Sequence, residues 1–251
     1  MSDDAICKIC GSKQQAIFSH LVLNKYDVQY YHCSSCGYIN TENPYWLDEA
    51  YSDAIAITDT GIMRRNISIA LKLAVILSIN FDRQEKFIDV AGGYGILTRM
   101  MNDMGFNYYW ADKYCSNLVA RGLEADTCVK PGYAVGALSA FEVVEHLLDP
   151  VNFIRESFEK FNSETLIFST LTYSDKVPDK SWWYYSFGTG QHIGFFSDKT
   201  LAILAEKLDC KLYKFGGLFV ITRNRKFHWV TGLLVKFLFP LALLKYKSSF
   251  K

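Results

Sequence analysis

Hydrophobic positions along the chain fall into short apolar runs and longer stretches with helical spacing. The run Phe87 to Val90 has the length and apolar content of a buried parallel strand, and residues 96–101 after it read as a helix. Upstream, residues 66–79 repeat apolar side chains at helical spacing and predict a helix just before that strand. The pattern also predicts strands at 107–112, 127–129, 165–169, 210–215 and 218–222, and helices at 113–122, 146–161 and 197–208.

A glycine-rich turn, residues 91–95, lies between the first of these strands and its helix. A strand, such a turn and a helix place free backbone N–H groups where doubly wound sheets hold nucleotide-like ligands. Glycine permits close approach of a ligand and positive φ angles. The next predicted strand ends in Asp112, close to the spacing at which an acid meets ribose hydroxyls. Thr98 stands where the dinucleotide-binding pattern has a third glycine, which disfavours a nicotinamide enzyme.

These motifs resemble those of the class I S-adenosylmethionine-dependent methyltransferases. The family's first motif, acid-x-Gly-x-Gly-x-Gly, is matched by Asp89 to Gly95, with Ala91 in place of the first glycine. Its fourth-strand signature, close to FEVLEH-L-DP, is matched by Phe141 to Pro150. The resemblance covers about residues 66–223. It implies an α/β fold with a doubly wound, mostly parallel, seven-stranded sheet of Rossmann-like type.

The resemblance also implies which residues hold S-adenosylmethionine. By the family's pattern Gly93 and Gly95 approach the amino-acid end of the cofactor, and Asp112 binds the ribose hydroxyls. Asp89 supports the turn. For both aspartates the alternative is an ordinary capping or surface carboxylate. The complete expected cofactor set is Asp89, Ala91, Gly92, Gly93, Gly95, Asp112, Phe141 and Glu142.

Two CxxC pairs near the N-terminus, Cys7 with Cys10 and Cys33 with Cys36, indicate a metal site. Pairs at this separation are typical of a zinc ribbon, in which four thiolates surround one ion. Apolar runs at 16–23 and 28–33 predict strands between the two pairs. A closed four-sulfur site has no open position, so we expect Zn²⁺ to be structural, because about forty residues cannot bury enough surface to fold unaided.

Composition and charge indicate the cellular compartment and set the C-terminal segment apart from the rest of the chain. Half of the residues are hydrophobic and the formal net charge is +1, so nothing attracts the whole chain to nucleic acid. The acidic start without an apolar run predicts no secretory signal, and the cysteine usage predicts a reducing cytoplasm. Residues 211–251 carry nine basic and no acidic residues around the apolar run 229–244. This segment is expected to dock on its own domain, on a second copy in a homodimer, or in a membrane interface.

Four consecutive aromatic residues follow the predicted strand 165–169, where the resembled family builds its substrate lid. They cannot all face a core from one short loop, and exposed flat rings with polar tips suit the apolar faces of a sugar. A hydrophobic plug or a dimer seam is the alternative. The predicted substrate-binding residues are Trp182, Trp183, Tyr184 and Tyr185.

Three further residues are candidates for removing a proton from the acceptor. His192 lies between glycines, and an imidazole that is neutral near pH 7 accepts protons, so it is the first choice as general base. Glu145 and His146, within the fourth-strand signature, are the other catalytic candidates. Helix capping and a purely structural histidine remain the alternatives for these positions.

Chains with a zinc ribbon ahead of this core and such a lid resemble methyltransferases associated with bacterial surface-polysaccharide and sugar biosynthesis. The resemblance implies methyl transfer to a hydroxyl of a sugar, a nucleotide-linked sugar or a polysaccharide precursor, and no nucleic-acid partner. Two alternatives stay open. An RNA methyltransferase is disfavoured because residues 1–40 are not basic, and a non-catalytic membrane-surface adaptor would merely keep the fold. The expected organisation is a zinc ribbon at 1–40, a linker with a short helix at 41–65, a methyltransferase domain at 66–225 and a basic, apolar helical segment at 226–251.

Overall fold

The computed structural model describes residues 6–51, 60–174 and 176–237. The chain forms two compact units, one of Met1–Ala56, Glu142–Glu156 and Ser169–Cys210, the other of Ile57–Phe141, Ser157–Phe168 and Lys211–Lys251. No helix within the described ranges has both the length and the apolar content to cross a bilayer.

Strands and helices are numbered in chain order. The strands are β1 (Gln15–Val22), β2 (Tyr26–His32), β3 (Ile39–Thr41), β4 (Lys86–Asp89), β5 (Asn107–Trp110), β6 (Ala137–Phe141), β7 (Thr165–Ser169), β8 (Thr172–Tyr173), β9 (Gly194–Ser197), β10 (Lys211–Phe215) and β11 (Leu218–Thr222). The helices are α1 (Leu47–Ala50), α2 (Ile62–Asn80), α3 (Ile96–Asp103), α4 (Ala125–Cys128), α5 (Pro150–Lys160) and α6 (Asp198–Lys207).

The first unit is built on a five-stranded sheet in the order β1-β2-β3-β9-β8. Strands β1 and β2 confirm the pair predicted between the cysteine knuckles. They are joined by a tight turn in which Leu23 and Asn24 have φ angles of 52° and 54° and the N–H of Lys25 donates to the Val22 carbonyl. Positive φ at both central residues suits the right-handed twist of a hairpin. Strand β3 then pairs with β9, so the N-terminal strands share one sheet with a segment from late in the chain.

The second unit is built on a six-stranded sheet in the order β10-β11-β7-β6-β4-β5. Strand β4 is parallel to both of its neighbours, whereas β11 is antiparallel to β7 and β10. Helix α2, predicted from its apolar spacing, buries Leu73 and Leu77 in the same core as Phe87 and Val220. The α/β class with a Rossmann-like sheet is thereby confirmed, as are strand β7, helix α6 and the hairpin of β10 and β11.

The strand predicted at 127–129 is wrong, so the sheet has six strands in the described part of the chain and not seven. The backbone N–H and the hydroxyl of Thr127 both donate to the Glu124 carbonyl, at 3.2 and 3.0 Å. These local bonds close the helical turn α4 and leave Thr127 unable to pair with β5.

The helix predicted at 113–122 is also wrong, because side chains satisfy the backbone locally. One carboxylate oxygen of Asp112 accepts from the N–H groups of Tyr114 and Cys115, at 2.7 and 2.8 Å. The side chain of Asn117 accepts from the Ala120 N–H at 2.9 Å. Aspartate and asparagine compete with helical hydrogen bonding in this way and favour turns.

The helix predicted at 146–161 begins later, at Pro150, because Val144–His146 form a separate 3₁₀ turn. Proline suits this first helical position, where its missing N–H would have no partner. Near the chain end residues 230–237 are helical. Val235 lies in the core of the second unit, while Trp229 and Phe237 are 81% and 61% exposed. The rest of the predicted C-terminal helix lies outside the described residues.

A buried polar chain crosses the centre of the six-stranded sheet. The Tyr108 hydroxyl donates to Ser139 Oγ at 2.5 Å, and the Ser139 hydroxyl donates to Asp89 Oδ1 at 2.8 Å. All three side chains are buried. Burial raises the pKa of Asp89 to about 7, and the charge of Asp112 acts in the same direction while the Ser139 hydrogen bond opposes it.

This burial predicts a pH-dependent effect of the substitution Asp89→Asn. The unfolded chain loses the Asp89 proton near pH 4, whereas the folded protein keeps it until about pH 7. Wild-type stability therefore falls with rising pH in this window, and the asparagine variant lacks that fall. Urea unfolding should be measured from pH 4.5 to 8. The free energy of unfolding of the variant should rise relative to that of wild type by up to about 4 kcal/mol, and the difference should level off above pH 7. A difference that does not change with pH would contradict the buried, protonated carboxyl.

Candidate functional site

The turn after β4 leaves a backbone surface open at Gly93. This residue has a φ of 52°, and its N–H donates to Oδ2 of Asp112 at 2.9 Å. A Cβ atom added at Gly93 would meet nothing within 4 Å. The structure thus brings together the residue expected at the amino-acid end of the ligand and the residue expected at its ribose, and it leaves the space beside the glycine free.

Asp112 is held in place by three backbone N–H groups. Besides Gly93, the amides of Tyr114 and Cys115 donate to its Oδ1 atom. A carboxylate offers about four lone-pair sites. Three are used within the turn, so one site on Oδ2 is left for a further donor such as a ribose hydroxyl.

The neighbouring glycines are required for packing within the protein. A Cβ at Gly92 would lie 2.5 Å from the Trp110 ring, whose Nε1–H donates to the Gly93 carbonyl at 2.9 Å. Gly95 has a φ of 88°, and a Cβ there would lie 2.7 Å from the Asn117 side chain. Of the three glycines in the turn, only Gly93 therefore presents open space, and half-buried Ala91 precedes them.

The last two expected cofactor residues lie at the end of β6. Phe141 is the final residue of that strand in the second unit, and Glu142 begins the next segment of the first unit. Glu142 has a φ of 55°, which is unusual for a residue other than glycine. Two hydrogen bonds with Ser169 hold it there, because the Glu142 N–H donates to Ser169 Oγ and the Ser169 hydroxyl donates to Glu142 Oε1.

In the first unit the three catalytic candidates, Glu145, His146 and His192, form one cluster. One ligand atom from each lies within 4.8 Å of those of the other two. The centroids of the His146 and His192 rings are 4.8 Å apart, and the rings are arranged edge to face. The Tyr184 hydroxyl donates to Glu145 Oε1 at 2.7 Å. Glu145 Oε2 is buried and has no hydrogen-bond partner among the described residues.

Both imidazoles are oriented through Nδ1. His146 Nδ1 lies 3.0 Å from the Gln191 carbonyl and 2.8 Å from the Tyr51 hydroxyl, and His192 Nδ1 lies 2.7 Å from the Tyr184 carbonyl. A carbonyl only accepts, so Nδ1 carries the proton in both rings and Nε2 has the free lone pair. This arrangement can accept a proton or bind a cation.

Burial sets the charge states in this cluster. It lowers the pKa of His146 and of His192, and the neighbouring His146 lowers the pKa of His192 further. Burial raises the pKa of Glu145 to about 7, with Glu142 adding to the rise. It also raises the pKa of Tyr184 far above the usual range. Both histidines are therefore neutral at pH 7.

The four aromatic residues of the predicted lid divide between surface and core. Trp183 is 74% exposed, whereas Tyr184 and Tyr185 are buried. Trp182 packs edge to face against Tyr185, with ring centroids 5.2 Å apart. Tyr184 and Tyr185 have no exposed ring face on which a sugar could stack, because both belong to the core of the first unit. The division agrees with the argument that the four rings cannot all face a core, and their contact with substrate stays a prediction.

The four N-terminal cysteines come together as predicted. Cys7 and Cys36 are 3.5 Å apart between sulfur atoms, Cys10 and Cys33 are 3.4 Å apart, and all four lie within 4.8 Å of one another. Each pair sits on the same kind of knuckle: a glycine follows its second cysteine at a φ of 79°, and that glycine's N–H donates to the carbonyl of the first cysteine. The hydrogen bond with Cys36 lowers the pKa of Cys7 to about 5.

Sequence reasoning missed the polar groups that support these residues. Ser139 and Tyr108, which reach Asp89, lie on separate strands without any local motif. The Tyr184 hydroxyl was assigned to substrate, yet it binds Glu145 within the protein. Only the pairing of distant segments brings these groups together, so no local signal in the sequence identifies them.

Several solved structures resemble the chain. TnmH is 17% identical, with 71% of this chain and 60% of that chain covered and a TM-score of 0.48. Magnesium protoporphyrin IX methyltransferase from Synechocystis PCC 6803, with bound SAH, is 10% identical over 72% of this chain and 96% of that chain, with a TM-score of 0.45. Human N-acetylserotonin methyltransferase in complex with SAM is 14% identical, with 71% of this chain and 66% of that chain covered and a TM-score of 0.46. This chain thus spans about 60% of the length of TnmH.

No curated protein sequence matches the chain. A family model described as a methyltransferase domain matches residues 63–214, which include the turn after β4, Asp112 and the Glu145–His146–His192 cluster. The match confirms the methyltransferase assignment made from the motifs. Because it covers more than half of the chain, the protein belongs to the methyltransferase domain family.

Proposed function

We propose that the protein is an S-adenosylmethionine-dependent methyltransferase that acts on a hydroxyl of a sugar, a nucleotide-linked sugar or a polysaccharide precursor. The observation that carries the proposal is the hydrogen bond from Gly93 to Asp112 beside open space, within a chain of the methyltransferase family. When bound, the cofactor supplies a methyl group already activated by its sulfonium charge.

The residues of the turn after β4 fit such a cofactor. The open side of Gly93 admits close approach of a ligand to the backbone. The remaining lone pair of Asp112 accepts from a ribose hydroxyl, and the buried Asp89 holds the strand end behind the turn. Phe141 and Glu142 are proposed to border the cofactor from the end of β6.

The Glu145–His146–His192 cluster is proposed to take the proton of the acceptor hydroxyl. His192 is the first choice as base, because its Nδ1–H is fixed on the Tyr184 carbonyl and its Nε2 has a free lone pair. Tyr184 also donates to Glu145 and so links the base to the carboxyl. Among the four consecutive aromatic residues 182–185, Trp183 is the one that is mostly exposed, and its ring could pack on the apolar face of a sugar.

Zn²⁺ is proposed as a structural ion on the four N-terminal cysteines. Two matching knuckles bring four sulfur atoms within 4.8 Å of one another, and a closed set of four thiolates leaves no position for substrate. The ion would hold the segment before β1, with Cys7 and Cys10, to the segment after β2, with Cys33 and Cys36.

The cofactor site predicts different effects for two glycine substitutions, Gly93→Ala and Gly105→Ala. Both glycines have positive φ, at 52° and 88°, and neither would have a neighbour within 4 Å of its new Cβ. Each variant should lose about 1–2 kcal/mol of stability through backbone strain. Calorimetry with S-adenosylhomocysteine should show affinity reduced tenfold or more for Gly93→Ala alone. Equal affinities, or no binding by the intact wild type, would count against the proposed site.

The base assignment predicts a loss of turnover in the variant His192→Asn. Methyl transfer from labelled S-adenosylmethionine to a panel of nucleotide-linked sugars should be detected for the wild type. Removing a general base should lower kcat by about 10²–10⁴-fold while the affinity for S-adenosylhomocysteine is kept. The control is His20→Asn, since His20 stacks on Phe187 and is not a member of the cluster. An unchanged kcat in His192→Asn would remove His192 from the mechanism.

The zinc site predicts that Cys10→Ser removes one equivalent of zinc per chain, measured by atomic emission. Loss of this ion should lower the unfolding temperature, because the knuckles have little apolar surface of their own to bury. The matched control is Cys128→Ser, whose thiol donates to the Gly122 carbonyl at 3.2 Å outside the cysteine cluster. Equal zinc contents in the two variants would disprove the four-cysteine site.

A further inference from the structure

In the described part of the chain, only one of the two Glu145 carboxyl oxygens has a hydrogen-bond partner. Oε1 accepts from the Tyr184 hydroxyl, and Oε2 is buried with no partner among the described residues. The residue as a whole is fully buried. Leaving a buried polar atom unpaired costs about 1–3 kcal/mol, so the fold holds this oxygen ready for a group that it does not itself supply.

The two histidines beside it present free lone pairs in a fixed orientation. Each ring donates its Nδ1–H to a backbone carbonyl, His146 to Gln191 and His192 to Tyr184. This is the arrangement that metal-binding histidines show, because the outer hydrogen bond selects the tautomer and leaves Nε2 for the ion. The Tyr184 hydroxyl orients the carboxylate in the same manner.

We propose that Glu145 Oε2, His146 Nε2 and His192 Nε2 bind a divalent first-row transition-metal ion, at a site separate from the four cysteines. One ligand atom from each of the three residues lies within 4.8 Å of the others. An ion with bonds of about 2.1 Å spaces its ligands roughly 3–4 Å apart, so small side-chain movements complete the site.

The ligand set indicates the class of ion and its use. Two imidazole nitrogens with one carboxylate oxygen suit ions such as Zn²⁺ and Fe²⁺ and leave coordination positions open. An open position fits an oxygen of the acceptor, whose hydroxyl proton would then leave to water under the influence of the ion. This use of the ion rests on the proposed function, whereas its binding does not. In the ion-bound form His192 is a ligand, and the ion takes over the activation of the hydroxyl.

The test is a titration of the full chain, with zinc retained on the cysteines, by Co²⁺. Visible d–d bands without thiolate-to-cobalt charge-transfer bands, saturating at one Co²⁺ per chain, are expected. The variants Glu145→Gln and His192→Gln, which keep side-chain size and polarity close to the originals, should weaken Co²⁺ binding at least tenfold. His20→Asn, a histidine of the same unit outside the cluster, should leave it unchanged.

Absence of the d–d bands, thiolate bands alone, or Co²⁺ affinity unchanged from wild type in both cluster variants would overturn the inference. Should the variants fail to fold, anomalous scattering from Co²⁺ in crystals of the wild type decides the matter, since the ion must lie between Glu145 and His192. Calorimetry with S-adenosylhomocysteine on the same sample separates the two proposals. Cofactor binding without Co²⁺ binding removes the metal site only, and Co²⁺ binding without cofactor binding removes the proposed function only.

Discussion

The hydrogen bond from the Gly93 amide to the Asp112 carboxylate ties together the carboxyl ends of two adjacent parallel strands. It forms only because Gly93 adopts a positive φ and because Asp112 is fixed by two further amides of its own turn. The Trp110 ring covers Gly92 and donates to the Gly93 carbonyl, so one side of the turn is filled by protein. The other side stays open, because a Cβ at Gly93 would meet nothing within 4 Å, and the proposed cofactor site rests on this asymmetry.

Behind this turn the second unit places a carboxyl where water cannot reach it. Asp89 is buried at the end of β4 and is stabilised by the Ser139 hydroxyl, which in turn accepts from Tyr108. Burial raises the pKa of this carboxyl to about 7, although the hydrogen bond from Ser139 acts against the rise. A protonated Asp89 can support the strand end without adding a negative charge close to Asp112. The Asp112 carboxylate instead accepts hydrogen bonds from the backbone N–H groups of the turns.

Features that depend on local spacing were predictable from the sequence, and features that depend on distant pairing were not. The cysteine knuckles, the glycine turn and helix α2 each follow from residues close together in the chain. The helix predicted at 113–122 failed because the side chains of Asp112 and Asn117 took over the backbone hydrogen bonds. The contact of Tyr184 with Glu145 and the pairing of β3 with β9 join segments more than 35 residues apart, where apolar periodicity carries no information.

The Glu145–His146–His192 cluster of the first unit consists of polar groups whose burial costs free energy. Glu145 Oε2 is buried without a hydrogen-bond partner among the residues that the structure describes, close to two neutral imidazoles whose Nε2 atoms have no proton to donate. One ligand atom from each of the three residues lies within 4.8 Å of the other two, and imidazoles protonated on Nδ1 have no further N–H to offer the carboxyl. A hydrophobic replacement of similar volume would cost less if stability alone were at stake. A cation or a proton shared among the three residues would satisfy the second Glu145 oxygen, and the roles proposed for the cluster rest on this.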